Sequence, residues 1–184
     1  MDKNIFTKNT FLEMKKLLKK TKNKELGFAL CKHKNKLTGG NTISGTDYGS
    51  NPKDSSCHSI GSRAGGFHTH PHDTHEPSFR DLHNAGLFGL TCIGGAKTKK
   101  ISCFKCKWDI NEETFKNRFK KDVENVPTVR IFRKVISEQD KLKIKYAKRK
   151  ISQKEAISKN SKLERNAVTK MLKHFDRYDL DLED

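Results

Sequence analysis

No apolar run in this 184-residue chain approaches the roughly 18 residues a helix needs to cross a bilayer, so no membrane partner is expected. Residues 1–10 carry charge and lack an apolar stretch, so they do not read as a secretory leader. Cysteine is sparse: Cys31, Cys57, Cys92, Cys103 and Cys106 form an odd set without the close spacing of a disulfide framework. These absences predict a reducing, cytoplasmic compartment, with the thiols free or metal-bound. Hydrophobic residues make up only 33%, which predicts one compact core and much solvated helix. Acidic residues are the scarce charge, 22 Asp and Glu against 39 Lys and Arg, for a net +17. Such an excess attracts anionic partners, nucleic acid or an acidic protein surface. Lysine is spread along the whole chain, however, so charge alone names no partner.

Hydrophobic periodicity orders the chain. Phe11, Leu12, Leu17 and Leu18 recur at helical spacing and predict an amphipathic helix over residues 8–20. Residues 25–31 are a short apolar run, read as a buried strand, and 36–44 as a second. Residues 46–63 are rich in Gly, Ser, Asn, Asp and Pro and predict a loop. Residues 64–70 return to extended structure ahead of Pro71. Ser78 is an N-cap signal with Asp81 three positions on, so a helix is expected from there to about Gly89. Residues 90–93 and 101–108 predict two strands joined by a turn containing Gly94-Gly95. Beyond Trp108 the chain reads as charged helices: 112–123, one from 142, 151–159 and 163–175, ending in the acidic run 176–184. The expected class is α/β, a mixed sheet flanked by helices, with a small C-terminal helical region.

The chemistry concentrates in Gly66-Phe67-His68-Thr69-His70-Pro71, then Ser78 and Asp81. Alternate residues of a strand share a face, so His68 and His70 can reach one ion. Neutral imidazoles suit zinc, and the Asp81 carboxylate makes a third protein ligand. Three protein ligands leave a tetrahedral position open, which separates catalytic from structural zinc sites. A plain alternative is an exposed histidine pair beside an Asp81 that merely closes a capping box with Ser78.

The full spacing resembles a known signature. His68-Thr69-His70-Pro71, six further residues, then Ser78-Phe79-Arg80-Asp81 is similar to the core motif of the JAMM (MPN+) metalloproteases. Glu25-Leu26-Gly27-Phe28-Ala29-Leu30 resembles the family's glutamate segment, with a glycine one place early. The resemblance covers residues 8–110 and implies cytidine-deaminase-like layering of a mixed sheet and helices. It implies zinc held by His68, His70 and Asp81 together with a water, Glu25 as general base, and Ser78 as donor to the oxyanion. It also implies hydrolysis of peptide or isopeptide bonds to ubiquitin-like proteins. His58, His72, His75 and His83 are further histidines expected to crowd the site; His72 and His75 lie in the loop between ligands, where they could contact substrate or take a stray metal, or most simply be solvated.

Two weaker signals remain. Cys103-Phe104-Lys105-Cys106 is a lone C-x-x-C in an expected strand, where a spacing of three puts the thiols on opposite faces. A second zinc there would need Cys57 with His58, or Cys92. Residues 151–175 resemble a winged helix-turn-helix broken at Asn160-Ser161, without wing strands after Phe175; Lys162, Arg165, Asn166 and Lys170 would then face DNA. RadC-like proteins share a similar His-x-His-Pro core, so a DNA-associated protein is the alternative function. The expected organisation is 1–110 metalloprotease-like domain, 111–135 connecting helix and linker, and 136–184 C-terminal helical segment.

Overall fold

The computed structural model of the chain describes residues 3–45, 57–72, 75–108 and 126–182. The expected helix at 112–123 lies outside these residues. Helix α1 (Lys8–Lys20) starts where Thr7 accepts a hydrogen bond from the Thr10 N–H and buries Met14, Leu17 and Leu18 along one stripe. Burying each of these side chains is worth about 1.5–3 kcal/mol. Strand β1 (Leu26–His33) follows, flanked on one edge by β2 (Lys36–Gly39) and β3 (Ile43–Ser44). The single strand expected over 36–44 is thus two short ones, separated at residues 40–42.

On its other edge β1 pairs antiparallel with β4 (Ser62–His70), which runs parallel to β5 (Leu90–Gly95). Helix α2 (Phe79–Phe88) makes the crossover and closes on Gly89, whose φ of 103° only glycine adopts readily. Strand β6 (Lys100–Cys106) returns antiparallel to β5. Gly94-Gly95 falls inside β5 rather than in the turn, pairing with Thr69 and His70 of β4.

The C-terminal region differs most from expectation. Helices α3 (Pro127–Ala147) and α4 (Gln153–Leu172) form one long hairpin, and α4 runs unbroken through Asn160-Ser161. Asn160 can stay helical because its amide reaches Glu164 Oε1 at 3.1 Å and its oxygen accepts from Gln139 of α3 at 2.8 Å. The expected helix-turn-helix break is therefore absent. The final run holds a seventh strand, β7 (Phe175–Leu180), hydrogen-bonded antiparallel to β6. Asp176 and Asp179 stand exposed between Phe175 and Leu180, both buried at the strand ends, so local charge conceals a sheet edge strand.

The sheet order is β2-β1-β4-β5-β6-β7, with β3 also on β1. One face packs Phe28, Leu30, Phe67 and Ile101 against α1. The opposite face packs Ile93, Phe104 and Cys106 against α2, α3 and α4 through Phe79, Leu82, Val135 and Met171. The α2–α3 contact is tight: a Cβ at Gly86 would lie 2.0 Å from Thr128 Oγ1. His83 stacks on Phe132 at 3.9 Å, and burial together with Arg133 depresses its pKa to about 4.

The thiols were expected free or metal-bound; instead Cys31 pairs with Cys57 and Cys92 with Cys103 in disulfides. The second pairing follows from strand register, since Cys92 and Cys103 face each other across β5 and β6. The expected opposition of the C-x-x-C thiols holds: Cys103 packs on the α1 face and Cys106 on the other. No helix among the described residues is long and apolar enough to cross a membrane.

Candidate metal centre

The site sits where β4 ends and α2 begins. A parallel β–α–β crossover brings the carboxyl end of the first strand beside the helix N-terminus, where open α/β sheets collect ligands. Phe67 and Thr69 are buried on the α1 side, and alternation turns His68 and His70 to the α2 side. Asp81 is the third residue of α2 and points back at them.

His68 Nε2 and His70 Nε2 lie 3.0 Å apart. Asp81 Oδ1 is 3.2 Å from His68 Nε2, and Oδ2 is 3.6 Å from His70 Nε2. Donor atoms sharing one tetrahedral zinc at about 2.0–2.1 Å stand about 3.3 Å apart, so these spacings fit the ion. The side chains are only 11%, 13% and 15% exposed. Among the described residues this trio alone brings three ligand-type side chains within reach of one ion. Two nitrogens and one carboxylate suit zinc better than a hard cation, which prefers oxygen throughout.

The electrostatics are those of a linked pair. Burial by itself opposes charge on both His68 and Asp81, yet each stabilises the charged form of the other. His68 is raised above its ordinary value, with Glu25 adding to the effect, and Asp81 is held well below the usual carboxylate range by His68 and His70.

Ser78 and Asp81 form a reciprocal capping box. Asp81 N–H donates to Ser78 Oγ at 3.2 Å, and Ser78 N–H donates to Asp81 Oδ2 at 2.7 Å. Capping does not turn Asp81 away from the histidines, because the same bond aims the carboxylate that faces them. Ser78 Oγ accepts here and keeps its own proton to donate.

Glu25 is 8% exposed and directly precedes β1. Gly27 is the register partner of His68, so the head of β1 lies alongside the histidine end of β4. The carboxylate's field reaches His68, as its contribution there shows.

Sequence reasoning missed the pin that holds these two strand ends together. Thr69, fully buried between the two histidines, accepts hydrogen bonds from Leu26 N–H at 3.0 Å and Thr21 Oγ1 at 2.7 Å. Thr21 is the residue that ends α1, and only its position beneath β4 gives it this role. Thr69→Val keeps the shape but takes the partner from the Leu26 N–H, while Thr21 keeps its bond to Leu17 O at 2.8 Å, at a cost of about 1–3 kcal/mol. We expect a melting midpoint lower by roughly 2–12 °C, with any catalytic rate falling more than metal affinity. An unchanged melting curve would remove the pin.

The other histidines do not join the cluster. His75 Nδ1 is 3.0 Å from Thr98 Oγ1, His83 packs against Phe132, and His58 and His72 are exposed. The loop carrying His75 is tied to the far edge of the sheet, since Arg177 of β7 donates to Glu76 Oε1 at 2.8 Å. Comparison with known proteins adds nothing to this geometry: the chain matches no protein-family model and no curated protein.

Proposed function

We propose that this protein is a zinc hydrolase of the JAMM (MPN+) type, with that family's cytidine-deaminase-like layering. Its substrates are peptide or isopeptide bonds to ubiquitin-like modifiers. The supporting observation is the convergence of His68, His70 and Asp81 on one point beside a buried carboxylate, Glu25. The bond type rests on the motif spacing; the geometry itself speaks for metal-assisted hydrolysis.

Zinc held by the three side chains supplies Lewis acidity toward an attacking water and the scissile carbonyl. His68 and His70 serve as neutral ligands and Asp81 as a carboxylate, kept in place by the Ser78 cap. Glu25 takes a proton from the water as its oxygen bonds to the carbonyl carbon. That proton passes to the leaving amine when the carbon–nitrogen bond breaks. The Ser78 hydroxyl donates to the carbonyl oxygen as negative charge develops there.

The test is to mix the purified protein with a ubiquitin-like conjugate, with and without a chelator. Cleavage that stops on chelation and returns with added zinc supports the reading. Cleavage indifferent to the chelator overturns the metal mechanism, and bound zinc without cleavage of any such conjugate overturns the substrate class.

A further inference from the structure

The α3–α4 hairpin is longer than the core requires. The last buried residue of α3 is Val135, and the first buried residue of α4 is Ala167. Beyond Ile136, which still packs against the core, α3 continues to Ala147, about 16 Å of helix with no buried residue. This arm holds itself together: Gln139 Nε2 donates to Asn160 Oδ1 at 2.8 Å and to Glu164 Oε1 at 2.9 Å.

Its tip has a one-sided charge. Residues 141–154 contain seven Lys or Arg and no Asp or Glu. Lys141 and Lys143 are engaged by Glu138 and Asp140. Lys145, Lys148, Arg149, Lys150 and Lys154 make no ion pair among the described residues. Every side chain from Lys143 to Lys150 is exposed. Two large apolar side chains stand out among them, Tyr146 at 48% and Ile144 at 54% exposure. Tyr146, Arg149 and Lys150 border an open concavity of about 580 Å³ at the hairpin turn, together with Glu155, whose carboxylate is paired with Lys159 at 2.7 Å.

We propose that this arm is a nucleic-acid-binding element, with the tip cations on the phosphate backbone and Tyr146 against a base. Concentrated unpaired cations on a preformed projection bind a polyanion by releasing its counterions. An aromatic ring beside Arg and Lys is the pairing that holds single strands, through stacking and phosphate contact together. A bilayer is the poorer fit. A helix lying in a membrane surface carries its apolar residues on one face. Ile144 and Tyr146, two positions apart, point to opposite sides of α3, and cations occupy the space between them. The site is separate from the metal centre and does not depend on that reading. It also differs from the contact surface implied by a helix-turn-helix, which had assigned Lys162, Arg165, Asn166 and Lys170.

The test uses fluorescence anisotropy with labelled single-stranded RNA, single-stranded DNA and duplex DNA across a series of salt concentrations. The full-length protein is compared with Lys145→Gln/Lys148→Gln/Arg149→Gln/Lys150→Gln. Far-ultraviolet circular dichroism checks that the exposed substitutions leave the fold intact. For duplex DNA, the slope of log affinity against log salt becomes shallower by roughly 3–4 in the variant. Tyr146→Ala weakens single strands more than duplex, and the preference between RNA and DNA identifies the natural polymer. A control, Lys19→Gln/Lys20→Gln/Lys22→Gln/Lys24→Gln, changes the slope by less than half as much. An equal loss in the control means diffuse charge and overturns the proposal. So does an unaltered slope in the tip variant, or binding to phosphatidylserine vesicles without binding to any oligonucleotide.

Discussion

Glu25→Gln is expected to keep the metal and lose the reaction. The substitution preserves size and hydrogen-bonding reach in a position only 8% exposed, so packing at the head of β1 is little disturbed. What disappears is the ability to accept a proton from water and deliver it to the leaving amine. General acid–base groups contribute about 10²–10⁴-fold, so kcat/KM for a ubiquitin-like conjugate should fall by roughly that factor. Zinc content, measured by elemental analysis, should match the parent protein because Glu25 is not among the three ligands. In the metal-free protein the amide also withdraws a negative charge that helps raise His68, so that imidazole should titrate lower in the variant once zinc is removed. Undiminished cleavage would take Glu25 out of the mechanism while leaving the metal site standing.

His68→Ala goes further and removes the ion. Losing a partner that merely supports a ligand costs about 10–100-fold in affinity, and losing a ligand itself should exceed that. The remaining pair, His70 and Asp81, should not retain stoichiometric zinc through dialysis. The pH dependence carries the same signature. In the metal-free protein the raised His68 contributes stability that is present below the unfolded value near 6.5 and lost as pH rises through the folded one. The depressed Asp81 contributes stability present above about 3.9 and lost as pH falls through its folded value. The metal-free pair therefore stabilises most between those limits. Zinc reverses the upper trend, because His68 must release its proton to become a ligand. The rise in melting temperature on adding zinc should be small near about pH 5 and grow through neutrality. A zinc effect that shrinks with increasing pH would argue against imidazole ligation.

The convergence of His68, His70 and Asp81 was legible because its geometry is local. Residues i and i+2 of a strand must share a face, and a cap residue must lie beside the helix it starts, so His68, His70 and Asp81 needed little tertiary information. Helix α1 was equally plain from its apolar stripe. Two errors arose where local composition competes with distant packing. Asp176, Asp179 and Asp181 hid a strand that exists because Phe175 and Leu180 fill core positions on opposite sheet faces. Asn160-Ser161 looked like a helix break because both residues favour turns, but Asn160 finds its partners on α3.

Strand periodicity, the capping signal and the histidine spacing determined from sequence alone that two histidines and an aspartate able to share an ion meet at the end of a strand in an α/β chain. Only the tertiary structure decided which cysteines pair, that Thr69 pins β1 to β4, and that the C-terminal helices form an arm. Alternation and capping act within a few residues of chain, whereas disulfide partners, cross-strand pins and unburied helix length depend on contacts between segments far apart in sequence.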